Sequence, residues 1–295
     1  MLKPKATPRR TFIPMHGRWQ FKGDRAVFQA PDQSGTPVGL CLSPRRFQSG
    51  TIHFRATIGG ETTADQYSSH RTELDGNRSA CCAIGYSATT EGYYAIGIGG
   101  YGAAFVVLQF VPGQGWRAIQ TRGSSSQLVE GHSYDVQVEV AGQRVSLTVD
   151  GVRVIDIALP APLSGDQCGL YAWGHSQVGF EAFEFTENPP KVFVVMQFGE
   201  PYDSLYRDVI QTVSQDLGYD VLRADDLSRP GVILQDIRRG IVESDVIVAE
   251  ITPVNANVFY ELGYAHALEK PTILLASRKT ERLPFDISGY RVVFY

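Results

Sequence analysis

The hydrophobic pattern of the chain changes at Glu187-Asn188-Pro189-Pro190, and this change constrains the fold more than any other feature. Before it, from about Gly17 to Phe185, short segments alternate apolar and polar residues between Gly, Ser and Pro, which is typical of antiparallel strands. After it, continuous apolar runs alternate with stretches of helical spacing, which is typical of a parallel sheet with helices on both faces. The 295 residues therefore predict two domains.

We place a flexible basic arm at residues 1–14, an all-β domain at 15–188 and an α/β domain at 189–295. The net charge of −4 predicts no basic surface for nucleic acid. No apolar run approaches the roughly 18 residues of a membrane span, and none follows the basic N-terminus as a secretion signal would. The four cysteines lack CxxC spacing, so we expect no metal site, no disulfide framework and a cytoplasmic protein with reduced thiols.

The clearest strands of the first domain are Tyr134–Val140, Val145–Val149 and Val152–Ile155. The last two are joined by Asp150-Gly151, a dipeptide that tolerates the positive φ angles of a tight hairpin. The series YDVQVEV…VSLTVDG…GLYAW…FEAFEF resembles the concanavalin A-like jelly-roll sandwich. That resemblance implies a lectin-like or sensor module whose ligand is a carbohydrate or another small-molecule trigger.

Several residues of the first domain are of a type that binds or cleaves sugars, but we favour structural roles for them. Glu73 and Asp75 have the spacing of glycosidase carboxylates, yet their surroundings predict a solvated loop. Gly97-Ile-Gly99-Gly-Tyr-Gly102 matches GxGxxG, but a strand follows it instead of a phosphate-binding helix. Six aromatic residues have strand spacing that favours core positions over sugar stacking: Trp19, Trp116, Trp173, Tyr93, Tyr94 and Tyr101.

The second domain is predicted to be a flavodoxin-like open sheet of five parallel strands with crossover helices. We expect strands at Val192–Met196, Asp220–Ala224, Val246–Ala249, Thr272–Ala276 and Arg291–Phe294, and helices at Tyr206–Leu217, Ile233–Val242 and Val258–Leu268. Ligands of such sheets bind beyond the carboxyl ends of the strands. Three loops supply polar or aromatic side chains there, and we expect them to converge: Gln197, Phe198 and Glu200; Asp225 and Asp226; Glu250, Asn255, Asn257 and Glu261.

Glu261 is the candidate catalytic residue. If Asn257 caps the helix, Glu261 falls in its first turn, where the helix dipole favours an ionised carboxylate. Such an anion suits the stabilisation or covalent capture of an oxocarbenium-like sugar. The alternative, which spacing alone favours, is an acidic residue that only complements the dipole. His266 lies on another part of the helix, and we interpret it as structural.

The segment from Asp245 to Leu275, which contains NVFYELGYAHAL, resembles the TIR-like and nucleoside 2-deoxyribosyltransferase-like families. The resemblance covers about residues 191–295. It implies that Glu261 is catalytic, that Phe198 and Asp225 line a nucleotide pocket, and that Asn257 and Tyr260 shape it. From its position after the first strand, we expect Gln197 to bind the substrate as well. It also places Ser228, Arg229 and Pro230 in a loop used for assembly, and it implies self-association. Glu250 stands where an aspartate is commoner in these families.

The resemblance predicts an NAD+ nucleosidase that cleaves the nicotinamide–ribose bond, with NAD+ as substrate and no bound prosthetic group. By analogy of fold, the protein would be a ligand-triggered bacterial defence effector with the sandwich as its sensor. Two alternatives stay open. One is a nucleoside 2-deoxyribosyltransferase or nucleotide N-hydrolase, and the other is a non-enzymatic carbohydrate-binding or adaptor protein.

Overall fold

The computed structural model describes residues 12–29, 36–59, 78–227, 233–279 and 283–295. The chain forms two compact units, and the main division falls between Glu187 and Asn188. Three features of the sequence lie outside the described residues: most of the basic arm, the pair Glu73 and Asp75, and the predicted assembly loop Ser228–Pro230. Among the described residues, no helix is long and apolar enough to cross a membrane.

The described residues of the first unit form two seven-stranded antiparallel sheets. One has the order β1-β4-β13-β6-β7-β8-β9: Ile13–His16 (β1), Val38–Arg46 (β4), Gln167–Trp173 (β13), Ser79–Tyr86 (β6), Tyr93–Ile98 (β7), Phe105–Val111 (β8) and Gly115–Arg122 (β9). The other has the order β12-β11-β10-β5-β14-β3-β2: Val152–Ala158 (β12), Arg144–Val149 (β11), Ser133–Ala141 (β10), Gly50–Ile58 (β5), Val178–Glu187 (β14), Arg25–Gln29 (β3) and Arg18–Lys22 (β2). This jelly-roll-like arrangement agrees with the all-β domain that the alternating pattern predicts and with the sandwich that the resemblance implies.

The hairpin between β11 and β12 forms where the sequence predicts it. Asp150 and Gly151 have φ angles of +48° and +78°, so both central residues are in the left-handed region that a type I′ turn requires. Side chains alternate along the strands, and the buried ones form the core. Phe54 of β5 and Phe180 of β14 are fully buried, with ring centroids 6.0 Å apart.

The second unit contains a five-stranded parallel sheet of order β16-β15-β17-β18-β19. Its strands are Lys191–Val195 (β15), Asp220–Arg223 (β16), Val246–Glu250 (β17), Thr272–Ala276 (β18) and Val292–Phe294 (β19). In chain order within the unit this is 2-1-3-4-5, the doubly wound order of flavodoxin-like sheets. The predicted parallel sheet is therefore confirmed.

The helical segments of the second unit are Tyr202–Ser204 (α1), a π-helical stretch at Leu205–Gln211, Thr212–Asp216 (α2), Ile233–Glu243 (α3) and Ala256–Ala267 (α4). Two separate apolar clusters pack around the strands. One includes Ile241, Val258 and Leu262 from α3 and α4, and the other includes Tyr206 and Ile210 from the π-helical stretch. Strand β15 is buried on both faces, which explains its continuous apolar sequence.

Candidate functional site

A cavity of about 710 Å³ lies within the second unit, at the carboxyl ends of β15 and β16 and beside the start of α4. This volume is in the range of small-molecule sites. Seven of the predicted residues line it: Gln197, Phe198, Asp225, Asn255, Asn257, Tyr260 and Glu261. Its other lining residues are Val194, Met196, Ala224, Leu234, Asp236, Ile237 and Val258. The structure thus brings together side chains from three strand-end loops.

Glu261 lies in the second turn of α4, not in the first. The residue that caps the helix is Asn255, whose side-chain oxygen accepts a hydrogen bond of 2.9 Å from the backbone nitrogen of Asn257. The expectation that Asn257 is the cap was wrong. The effect of a helix dipole falls off within the first turn, so the dipole is a weak source of stabilisation for the Glu261 carboxylate.

The protonation state of Glu261 also differs from the sequence-based expectation of a fully ionised group. The side chain is half-buried, and loss of hydration raises its pKa to about 7. At pH 7, therefore, roughly half of the Glu261 side chains carry a proton. A carboxyl group with a pKa near neutrality is a common property of catalytic residues, although structural groups show it too.

Glu250 is buried but lies outside the described lining of the cavity, which corrects the prediction that it joins this site. Its carboxylate accepts hydrogen bonds from the backbone nitrogen of Thr252 at 3.0 Å, from the Thr252 hydroxyl at 2.5 Å and from the Tyr295 hydroxyl at 3.2 Å. Burial raises the pKa of Glu250, and the hydrogen bonds from Thr252 oppose that shift. These contacts indicate that the Glu250 carboxylate has a structural role as a hydrogen-bond acceptor.

Asp225 lines the cavity, and both of its carboxylate oxygens accept hydrogen bonds from Arg223. The Arg223 Nε and Nη2 atoms donate to Asp225 at 2.7 and 2.5 Å, and Nη1 donates to Asp203 at 2.8 Å. The Arg223 side chain is only 8% exposed, and its guanidinium lies over the rings of Phe198 and Tyr206. One buried cation therefore contacts two members of the cavity wall, Asp225 and Phe198.

Tyr260 contributes its ring to the cavity and its hydroxyl to a hydrogen bond with α3. The Arg238 Nη2 atom donates to the Tyr260 hydroxyl oxygen at 2.9 Å. About half of the Tyr260 and Phe198 side chains is exposed, so both rings are accessible to a ligand. Aromatic faces of this kind suit stacking with a planar nucleobase.

Among the residues at the cavity that the sequence did not assign to the site are Arg223, Leu234, Asp236 and Ile237. Arg223 is the last residue of β16 and stands two residues before Asp225, so its position at a strand end was the available signal. The three others lie in the first turns of α3 and carried no signal of their own. His266, interpreted as structural, stacks on the ring of Tyr290 at 4.6 Å.

The aromatic residues of the first unit divide into buried and accessible rings. Tyr93 and Tyr94 are buried, as expected for core residues, whereas Tyr101 is 55% exposed. Trp116 and Trp173 are partly buried and pack against a cluster that includes Tyr93 and Tyr171. Among the described residues, no group of three or more His, Cys, Asp or Glu side chains is placed to hold a metal ion.

No protein-family model matches the chain, and no curated protein matches its sequence. Solved structures do resemble it. The carbohydrate-binding module CBM66 from Bacillus subtilis is 16% identical with a TM-score of 0.46, over 61% of this chain and 98% of that chain.

The galectin LEC-6 from Caenorhabditis elegans is 13% identical with a TM-score of 0.34, over 55% of this chain and 96% of that chain. A 2-deoxyribosyltransferase from Bacillus psychrosaccharolyticus is 17% identical with a TM-score of 0.30, over 36% of this chain and 85% of that chain. At these values the similarities carry no information on ligand or activity.

Proposed function

We propose that the second unit is an enzyme that breaks the N-glycosidic bond between a sugar and its base in nucleosides or nucleotides. The observation that carries the proposal is the position of Glu261, a half-buried carboxyl in the wall of a 710 Å³ cavity at the strand ends of a doubly wound sheet. The resemblance of the segment around Glu261 to TIR-like and deoxyribosyltransferase-like families supports the same assignment.

The chemistry requires the ionised form of Glu261. As the C1′–N bond breaks, the base leaves with the bonding electron pair and the sugar becomes a ribosyl or deoxyribosyl cation. The Glu261 carboxylate either stabilises this cation or attacks C1′ to form a glycosyl ester. Water then adds to C1′ and loses a proton, which a departing purine or pyrimidine anion takes up, and hydrolysis is complete. Alternatively, a second base adds through a ring nitrogen and loses its N–H proton, which completes transfer. The positive charge of the transition state favours the ionised form of the neighbouring carboxyl group.

Tyr260 and Phe198 provide exposed aromatic faces for the base, and Asp225 and Asn257 provide polar groups for the sugar. This arrangement of aromatic and polar groups suits a nucleoside. Nucleoside 2-deoxyribosyltransferase or nucleotide N-hydrolase activity is therefore our first candidate function. NAD+ is the second candidate, because Glu261 and Asp236 give the cavity acidic groups that attract the positively charged nicotinamide ring of the substrate, which departs as neutral nicotinamide.

The test is base release by the full chain from 2′-deoxyadenosine, inosine, AMP and NAD+, each with and without a free acceptor base, followed by liquid chromatography. Glu261→Gln should lower the rate by about 1000-fold or more, since it removes the charge required at C1′. Glu269→Gln is the matched control, because Glu269 is an exposed glutamate just beyond α4. Retained activity in Glu261→Gln, or no base release from any substrate by the wild type, contradicts the proposal.

For the first unit we propose recognition of a carbohydrate, on the strength of three partly or largely exposed rings, Trp116, Trp173 and Tyr101. Titration of the protein with a panel of oligosaccharides, followed by tryptophan fluorescence, tests this proposal. Trp116→Ala should remove the response, and the absence of any response across the panel contradicts it. Self-association and a role in bacterial defence stay predictions that rest on the resemblance.

A further inference from the structure

The side-chain amide of Gln197 lies in the cavity wall without a protein partner. Gln197 is partly buried just after β15, yet within the part of the chain that the structure describes its amide takes part in no hydrogen bond. Other polar groups of the wall are engaged, since Asp225 accepts from Arg223 and the Tyr260 hydroxyl accepts from Arg238. A partly buried amide loses hydrogen bonds to water unless a ligand replaces them. Gln197 is therefore suited to contact a ligand.

Phe198 determines which part of a ligand lies beside Gln197. The Arg223 guanidinium lies over the Phe198 ring, 5.3 Å from its centroid, so one face of the ring is covered. Phe198 is nevertheless 53% exposed and lines the cavity, which leaves its other face for a planar base. A stacked base presents its hydrogen-bonding groups at its edge, in the plane of its ring. Because Gln197 directly precedes Phe198 and lines the same cavity, its amide is placed to meet that edge.

A second amide of the cavity wall, that of Asn257, lies closer to the candidate catalytic residue. Asn257 precedes Glu261 by four residues in α4, and residues at this spacing are neighbours on one face of a helix. Since Glu261 acts at C1′ in the proposed reaction, Asn257 lies beside the sugar. Gln197 comes from a different element, the end of β15, and is the amide available to the base.

A glutamine amide carries a carbonyl acceptor and an N–H donor side by side. Nucleosides offer a complementary pair at the edge of the base: hypoxanthine and guanine have N1–H beside O6, and adenine has N1 beside N6–H. Rotation of the amide by half a turn exchanges its donor and acceptor, so one glutamine can form two parallel hydrogen bonds with either kind of base. Unsubstituted purine has N1 but no exocyclic group, so it can form only one.

We infer that Gln197 recognises the base of the substrate through two parallel hydrogen bonds, from its amide to a ring nitrogen and the neighbouring exocyclic group. The inference rests on the proposed function, which supplies a nucleoside as the ligand. It predicts a site that accepts several natural bases and discriminates against a base without an exocyclic group. It assigns to Gln197 no part in breaking the C1′–N bond, so changes at Gln197 alter the choice of base.

The first experiment measures binding alone, in the Glu261→Gln variant of the full chain, in which cleavage is impaired. Titration calorimetry compares inosine with purine riboside. Inosine should bind about tenfold more tightly or more, and addition of Gln197→Met should reduce this preference to less than about twofold. Gln215→Met is the matched control, because Gln215 is an exposed glutamine of α2. An unchanged preference in Gln197→Met, or no binding of either nucleoside, overturns the inference.

The second experiment changes the preferred base. Gln197→Glu keeps the size of the side chain but offers two acceptors at pH 8. Guanine has two donors side by side, N1–H and N2–H, whereas hypoxanthine has one donor beside an acceptor. The guanosine-to-inosine ratio of kcat/KM should therefore rise by about 30-fold or more, and Gln215→Glu should leave it within about twofold. A ratio that stays at the wild-type value in Gln197→Glu contradicts the inference.

These results separate a failure of the inference from a failure of the proposed function. If the wild type releases no base, but the preference for inosine in binding depends on Gln197, the enzyme assignment is wrong and Gln197 still recognises the base. If the wild type releases base and both Gln197 variants keep the wild-type preferences, the enzyme assignment stands and the inference is wrong.

Discussion

Burial affects ionisable side chains in both units, but with opposite consequences at neutral pH. In the first unit, loss of hydration raises the pKa values of Cys41, Cys81 and Tyr171, which already lie above 7 in water. In the second unit, the same effect raises the pKa of Glu261 to about 7 and lowers the pKa of Lys270 to about 8. Burial therefore makes the thiols and the phenol inert, and it brings a carboxyl and an amine into the range of proton transfer.

The types of residue that are buried, as well as the shape of the cavity, therefore favour the second unit as the place of the candidate chemistry. Among the described residues, burial keeps the thiols of Cys41 and Cys81 and the phenol of Tyr171 protonated at pH 7, whereas partial desolvation at the strand ends of the parallel sheet brings the pKa of Glu261 to about 7. Four measurements test this contrast, beginning with the one for which we expect the largest effect.

The thiols of the sandwich should be the least reactive groups of the protein. All four cysteines are fully buried, and only the thiolate reacts with a disulfide reagent. We expect Ellman's reagent to label them in the native protein at less than about 1/1000 of the rate in 6 M guanidinium chloride, at pH 8. Ala88→Cys, at an exposed turn, is the positive control. Stoichiometric labelling of native wild type within minutes would break the comparison.

Glu261→Gln should stabilise the protein at high pH. The folded pKa of about 7 exceeds the ordinary value of 4.5, so the folded state holds more protons between these pH values and loses stability as pH rises through them. The neutral amide avoids this loss, and we expect a gain of about 1–3 kcal/mol at pH 9 and none at pH 4.5. Urea unfolding at both pH values measures it, with Glu269→Gln as control. A gain that is equal at both pH values contradicts the shifted pKa.

The activity should rise with pH if Glu261 acts as a carboxylate. The ionised fraction of a group with a pKa of about 7 increases from roughly one tenth at pH 6 to nine tenths at pH 8, so kcat/KM for 2′-deoxyadenosine should rise about tenfold. A kcat/KM that falls over this range would assign Glu261 the role of a general acid.

The smallest effect should come from the helix cap. Asn255→Ala removes the side-chain acceptor at the start of α4 and should cost about 1 kcal/mol in the free energy of unfolding. Asn257→Ala, two residues later, should change it by less than about 0.5 kcal/mol. Thermal unfolding of both variants shows which asparagine caps α4, and the cap position determines how many residues separate Glu261 from the start of the helix. The reverse ranking would return Glu261 to the first turn.

The sequence was sufficient for features that depend on local pattern. Strand β18 was predicted with its observed ends, Thr272 and Ala276, because a continuous apolar run is bounded there by Pro271 and Ser277. The Asp150-Gly151 turn was predicted because few dipeptides adopt two positive φ angles. The position of the cavity was predicted because the carboxyl ends of the strands in a parallel sheet meet at one edge.

The sequence was insufficient where contacts join distant parts of the chain. Glu250 occupies a strand end like the other candidates, but it lies outside the described lining of the cavity and accepts a hydrogen bond from Tyr295, 45 residues later. The pKa of Glu261 depends on how much water the folded neighbours exclude, which spacing does not encode. Asn255 and Asn257 are both good caps, and only the path of the preceding loop decides between them.

The described residues that line the cavity all lie between Val194 and Glu261 in the chain. One continuous stretch of the sequence therefore contains every described side chain assigned to ligand contact, together with Arg223. A recombination event or a synthetic cassette confined to that stretch can exchange the whole cavity wall at once. Strands β18 and β19 and the sandwich keep their own sequences in such an exchange, so new specificities are accessible by block replacement as well as by single substitutions.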